Sequence, residues 1–309
     1  MKLHKLNLKK HFEIKNLCLC IGNFDGIHKG HQFVIKKIIK HSRDFKMKSA
    51  IMTFNPHPKI FFKKNGEAFN IITSNYKKLF LNSLGIQHYI EYSFNKTLSN
   101  LSAIEFIEKV LVKQLNVRKI IVGNDFRFGK NRSGDTKLLK SLSSKYNYKL
   151  IIISHIKNNN TNLKYSSSAI RKNIEKGQFE KVSEALGRSW QINGKVIKGK
   201  QKARLINFPT ANIRPGKQIY PKKGVYCVNV LFNGKKFKGV ANFGERPTVN
   251  GTNLLLEVHM FKFNRDIYGK ELTVEFLTFI RPEKKYKDFK TLTSQIQKDV
   301  NKAKKYHKI

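Results

Sequence analysis

Along the first half of the chain, short apolar runs alternate with segments whose apolar residues recur every three to four positions. Leu17–Ile21, Lys48–Phe54, Lys119–Val122 and Lys149–Ser154 read as buried strands. Between them, Gln32–Ile39 sets Val34, Ile35, Ile38 and Ile39 on one helical face. Ser102–Leu115 opens with Ser102-x-x-Glu105, a capping-box spacing, and continues as a stripe of Ile104, Ile107, Leu111 and Leu115. Alternating strands and helices predict a parallel α/β sheet covered by helices on both faces. Asn158–Asn162 reads as a polar loop, and Ser168–Lys176 and Phe179–Leu186 as two closing helices.

After Gly187 the period changes. Trp190–Lys198, Gly224–Phe232, Lys235–Phe243, Leu254–Phe263 and Leu272–Ile280 read as strands with few helices between them. Asn233-Gly234 is a strong hairpin signal. This half predicts a small β-barrel followed by one helix over Asp288–Tyr306, whose Leu292, Ile296 and Val300 share a face. Two domains are expected, residues 1–184 and 185–309, and 309 residues suffice for both.

Charge changes the picture less than its size suggests. The net charge is +42, yet the lysines are spread along the whole chain. Lys, Asn and Ile are abundant together, which reads as compositional bias rather than a designed nucleic-acid face, so nucleic acid is not expected as the main ligand. The positive field still attracts small anionic substrates. Three cysteines, Cys18, Cys20 and Cys227, have no framework spacing and point to a reducing, cytoplasmic setting. The Lys-rich N-terminus lacks the apolar core of a secretory signal, and no apolar run reaches spanning length, so no membrane partner is expected. Nothing in the sequence fixes an oligomeric state.

Candidate chemistry begins where the first strand ends, in Gly22-Asn-Phe-Asp-Gly-Ile-His28-Lys-Gly30-His31. Strand, glycine turn and helix start present backbone N–H groups to phosphate. His28 and His31 share one face of the helix start, and Gly30 removes a side chain where backbone approaches a ligand. The imidazoles suit hydrogen bonds to a triphosphate and to a leaving pyrophosphate. Two other readings stay open: a surface pair at a helix cap, or a metal site with Cys18 and Cys20. Three further segments start at strand ends or helix starts, where open α/β sheets bind ligands. They are Thr53-Phe-Asn55-Pro-His-Pro58, Gly123-Asn124-Asp125-Phe126-Arg127-Phe128-Gly129, and Ser166-Ser167-Ser168-Ala-Ile-Arg171. Alone, each also reads blandly: a rigid loop, a core aromatic pair, and N-caps.

Taken together, these four segments resemble the adenylyltransferase module of the bacterial bifunctional riboflavin kinase/FAD synthetase family. The resemblance implies a Rossmann-like nucleotidyltransferase domain, in which the phosphate of FMN attacks the α-phosphorus of ATP to give FAD and pyrophosphate. It implies that His28 and His31 act catalytically at the ATP phosphates, and that Gly22, Asn23, Phe24, Gly30, Ser167, Ser168 and Arg171 bind ATP. It places Asn55, Asn124, Asp125, Phe126, Arg127 and Phe128 at the flavin. Ser168 stands where the family commonly has threonine, keeping the hydroxyl.

In the second half, Asn207-Phe-Pro-Thr210-Ala-Asn212 pairs a hydroxyl and an amide oxygen two residues apart on an extended segment. Such hard oxygens suit Mg²⁺ bound to nucleotide phosphates, although taken alone the motif more often reads as a polar turn after proline. Glu257, among apolar strand neighbours, is either an outward residue of a half-exposed strand or a placed general base. With Leu186-Gly-Arg188, Gly224-Val-Tyr226, Gly239–Thr248, Asp266-Ile-Tyr-Gly269 and Ile280-Arg281, these stretches are similar to the riboflavin kinase module of the same family. The resemblance implies a six-stranded antiparallel barrel that moves the γ-phosphate of ATP to riboflavin. Thr210 and Asn212 would hold Mg²⁺ and phosphate, Glu257 would take the hydroxyl proton, and Arg281 would lie by the flavin. Ala203 and Asn207 replace glycines that the family usually has before this motif, which bears on kinase rate. Two other outcomes stay open: a chain with only one active site, or an RNA-binding barrel with a vestigial nucleotide domain.

Overall fold

The computed structural model describes residues 1–62, 68–154, 156, 164–198, 208–248 and 251–309. Ala203, Asn207 and the Asn158–Asn162 loop lie outside the described residues. The chain divides into two compact units, Met1–Glu67 with Ser74–Ser166, and Ala68–Thr73 with Ser167–Ile309.

The first unit is built on six parallel strands: β1 (Lys2–Leu6), β2 (Leu17–Ile21), β3 (Lys48–Asn55), β4 (His88–Ser93), β5 (Val117–Gly123) and β6 (Lys149–Ile153). Their order across the sheet is β1-β4-β3-β2-β5-β6. The chain leaves β2 toward β3 on one side and reaches β5 on the other, so the order reverses at β2, and the crevice at such a reversal is where doubly wound sheets take ligands. All five residues of β2 are buried, as a strand covered on both faces requires. Helices α1 (Lys29–Asp44), α2 (Pro58–Phe62), α3 (Ser74–Ser83), α4 (Lys96–Ser99), α5 (Ala103–Glu105) and α6 (Thr136–Ser141) complete the unit.

The capping box forms: Glu105 N–H donates to Ser102 Oγ (3.1 Å), and Ser102 N–H donates to the Glu105 carboxylate (2.9 Å). Of the stripe beyond it, Ile107, Leu111 and Leu115 are buried as expected, and Ile104, in the first turn, is corrected to 49% exposed. Phe106–Gln114 winds as a π-helix, which also buries Phe106 and Val110.

In the second unit, β7 (Trp190–Ile197), β8 (Ala211–Ile213), β9 (Gly224–Phe232), β10 (Lys235–Thr248), β11 (Gly251–Met260) and β12 (Glu271–Pro282) close into an antiparallel barrel in the order β10-β11-β8-β7-β12-β9. Asn233 (φ 47°) and Gly234 (φ 75°) turn the β9–β10 hairpin with both residues left-handed, as the dipeptide predicts. Helices α7 (Ser167–Glu175) and α8 (Phe179–Leu186) belong to this unit. Phe179 of α8 packs among Trp190, Tyr226 and Phe276. The Ala68–Thr73 segment is tied in by Trp190 Nε1–H donating to Ile71 O (2.7 Å) and Gln218 donating to the same oxygen (3.1 Å). Helix α9 (Phe289–Tyr306), capped by Asp288, packs Val300 and Ala303 against Val225, Cys227 and Val240.

Candidate active sites

The loop between β2 and α1 turns through three left-handed residues: Phe24 (φ 46°), Gly26 (φ 84°) and Ile27 (φ 42°). Side chains at Phe24 and Ile27 resist this backbone, and burial of both holds them there. The chain then enters α1 with His28 as N-cap, its Nδ1 accepting from His31 N–H (3.2 Å). That bond puts the proton of the neutral ring on Nε2. The two imidazoles stack with centroids 3.7 Å apart. A Cβ on Gly30 would lie 3.2 Å from the His28 ring, so glycine here makes room for the cap. Burial, His28 and the Lys77 ammonium hold His31 well below the usual histidine value.

Lys77, on α3, donates to Asn23 O (2.9 Å). Asn23 Oδ1 and His31 Nδ1 are buried with no hydrogen-bond partner among the described residues. Hence the loop carries two buried polar atoms that the described protein groups leave unsatisfied, as at a site that takes a polar ligand or ordered water. Sequence reasoning missed Lys77, because nothing in α3 marks it until the fold brings it to the loop.

Asn55 ends β3 and is exposed, as are Asn124 and Asp125 after β5. Lys164 Nζ meets the Asp125 carboxylate at 2.7 Å, and Arg127 meets Asp135 at 2.9 Å. Phe128 is buried in the core and stacks with Phe126 (5.4 Å). In the second unit, Ser167 and Ser168 open α7. Arg171 is buried, with Nε donating to Phe69 O (3.0 Å) and its guanidinium over the Phe69 ring (3.7 Å).

On the barrel, one cross-strand row collects the remaining candidates. Asn212 pairs with Glu257, Glu257 with Asn242, Asn242 with Val225, and Val225 with Arg281. Residues directly opposite in antiparallel strands point to the same face, so this row stands on the outer face of the barrel, against which α9 packs at Val225. Asn242, in the middle of it, belongs to the Gly239–Thr248 stretch, within which nothing in the sequence sets it apart from its neighbours. Arg281 Nε donates to both Asp299 oxygens (2.9 and 3.0 Å) and Nη2 to Oδ2 (2.7 Å), a forked pair to α9. Thr210 lines a cavity of about 480 Å³ with Val196, Ala211, Val258, Met260 and Tyr268 among others. Ala211 and Val258, which adjoin Asn212 and Glu257 in sequence, line it too, so the cavity lies against the same two strands. Two residues beyond Glu257, the His259 ring bonds Pro209 O (2.9 Å).

Cys18 and Cys20 are core residues of β2, their thiols pushed up by burial, and no group of three or more His, Cys, Asp or Glu among the described residues is placed to hold a metal. No helix among the described residues is long and apolar enough to cross a membrane.

A doubly wound sheet with a ligand-seeking strand–helix loop, joined to a closed barrel with a polar row and cavity, defines a two-site nucleotide-using transferase. Residues 11–169 match the family model for FAD synthetase, and residues 186–307 that for riboflavin kinase. The bifunctional riboflavin kinase/FMN adenylyltransferase of Haemophilus influenzae is 36% identical over 299 residues, covering 95% of each chain. That of Buchnera aphidicola subsp. Schizaphis graminum is 37% identical over 97% of this chain and 96% of its own. A solved structure from Streptococcus pneumoniae, described as a macrolide-efflux protein, superimposes with a TM-score of 0.84 at 28% identity over 96% of this chain and 97% of its own. The chain belongs to the bifunctional riboflavin kinase/FMN adenylyltransferase family. It takes riboflavin to FMN and FMN to FAD with ATP.

Proposed function

We propose that the two reactions divide between residues 185–309, which phosphorylate riboflavin, and residues 1–184, which adenylylate FMN, with the following residue roles. In the barrel, Glu257 takes the proton from the terminal ribityl hydroxyl as that oxygen attacks the γ-phosphorus of ATP. A base so placed works only within hydrogen-bond reach of the hydroxyl. The observation that carries this assignment is the row in which Glu257 stands between Asn212 and Asn242. Thr210 and Asn212 offer neutral hard oxygens, a donor set that fits Mg²⁺ arriving with nucleotide phosphates. Bound there, Mg²⁺ would offset charge on the transferring phosphoryl oxygens. Arg281, braced by Asp299, lies at the flavin end of the row.

In the first unit, His28 Nε2–H donates to the triphosphate, and neutral His31 beside it binds phosphate through its own N–H. Gly22, Asn23, Phe24 and Gly30 shape the loop. Ser167, Ser168 and Arg171, on α7 of the second unit, are assigned to the β- and γ-phosphates by the family resemblance alone. Asn55, Asn124, Asp125, Phe126 and Arg127 form the flavin side, with Phe128 packed in the core behind Phe126. Positioning and charge neutralisation carry adenylyl transfer, with no covalent protein nucleophile. Three buried thiols support a reducing, cytoplasmic setting.

The test is a two-stage flavin assay on purified protein, with riboflavin or FMN as substrate, Mg-ATP, and chromatographic separation of products. Glu257→Gln is expected to lower FMN formation about 100-fold or more while FMN still becomes FAD. His28→Ala with His31→Ala is expected to do the reverse. Equal loss of both activities in either variant refutes the division of roles.

A further inference from the structure

We propose that His259 is a positioning residue of the riboflavin kinase reaction, bracing the Pro209–Thr210 peptide so that the Thr210 hydroxyl faces the nucleotide phosphates. The proposal rests on the assignment of Thr210 given above.

Pro209 lacks an N–H, so only its carbonyl can meet the imidazole, and Nδ1 must be the donor in the 2.9 Å bond. That carbonyl belongs to the same planar peptide as Thr210 N. Fixing the oxygen therefore fixes the plane from which the Thr210 side chain projects. The ring is itself held edge-on between Phe208 (centroids 5.5 Å) and Phe261 (5.7 Å). His259 lies two residues from Glu257 on β11, so both side chains leave the same face of one strand. A single strand thus carries the base and the brace, and keeps the base in step with the Thr210 peptide. Burial holds the imidazole below its usual value against the opposing pull of the Pro209 bond, with Lys304 of α9 adding to the burial effect. Protonation would leave the Nδ1–H donor in place, so acid does not break the brace.

Two substitutions separate bracing from packing. His259→Phe keeps an aromatic ring between Phe208 and Phe261 but has no donor. His259→Asn loses the ring, yet its amide nitrogen reaches about where Nδ1 stood. The phenylalanine variant is expected to keep its melting temperature and lose about 10- to 100-fold in kinase kcat/KM for Mg-ATP, the scale of a small misplacement in a reacting site. The asparagine variant is expected to melt lower and to recover most of that activity. FMN adenylylation by the same samples serves as the internal control and should not change. Kinase loss that follows melting temperature rather than the donor overturns the proposal.

A double-variant cycle separates this inference from the assignment beneath it. If His259 acts through Thr210, adding His259→Phe to Thr210→Ala costs little beyond Thr210→Ala alone. Full additivity refutes the brace. An unimpaired Thr210→Ala refutes the Thr210 assignment itself.

Discussion

Arg281→Met tests whether the fork between β12 and α9 is a buried ion pair that holds the barrel's helix in place. The substitution removes the guanidinium and leaves the Asp299 carboxylate, whose side chain is 4% exposed, with Gln295 Nε2 (2.9 Å) as its remaining side-chain donor among the described residues. Removing one partner of a buried ion pair costs about 3–5 kcal/mol, because the other charge stays desolvated. Arg281 is itself 19% exposed, which sets the expectation at the lower end, about 3 kcal/mol. For a unit of about 150 residues, each kcal/mol shifts the melting temperature by about 2–4 °C, so a fall of about 6–12 °C is expected. Scanning calorimetry on the full chain, following the transition that carries the barrel, measures it. The double variant Arg281→Met/Asp299→Leu removes both charges and is expected to regain most of the loss, since apolar replacement of a buried pair is often neutral. A shift below about 2 °C in the single variant, or no recovery in the double, refutes the reasoning. The recovered double variant then shows whether Arg281 also touches flavin: its KM for riboflavin should rise although its stability is restored.

Further tests address the first unit. Burial, with His4, Lys48, Lys2 and the N-terminal ammonium adding to it, holds His88 down to about 4, and His4 is lowered too. The unfolded chain therefore takes up these protons first, so this contribution to stability is complete above about pH 6.5 and drains away as pH falls toward 4. Melting curves of His4→Phe/His88→Phe should lose that part of the slope relative to the parent; parallel curves would contradict it. Gly30→Ala places a Cβ 3.2 Å from the capping His28 ring, and is expected to slow FAD formation about tenfold with FMN formation unchanged. The paired flavin assay reads both rates, and an unaffected FAD rate would show that the cap has room to yield.

The strongest periodic signals survived into the fold because packing reinforced them. Leu17–Ile21 is a strand with those bounds, and Phe179–Leu186 a helix with those bounds, each apolar enough for its local pattern to match its burial. Strand β1 (KLHKL) escaped notice because an edge strand needs only one buried face, and its one fully buried residue is Leu6. Strand β4 (HYIEYS) was hidden by polar residues whose burial depends on tertiary partners, such as Tyr92 OH on Gln114. Strand β8 has three residues, too few for a period to show. The site motifs were legible as segments at strand ends. What sequence left out was adjacency: Lys77 beside Asn23, Asn242 beside Glu257, and His259 against Pro209 become neighbours only through the β-ladder and the loops it positions.

The ladder that seats Glu257 also dictates which errors the gene for this protein can tolerate. Strand side chains alternate, so losing one codon from β11 upstream of Glu257 would rotate that carboxylate into the barrel's apolar interior and swing Leu256 or Val258 outward. The closed hydrogen-bonded ring leaves no free edge along which a shortened strand can slide back into phase. With Glu257 as the proposed base, point changes elsewhere on this strand are expected to give graded losses, whereas a single-codon deletion is expected to abolish riboflavin phosphorylation.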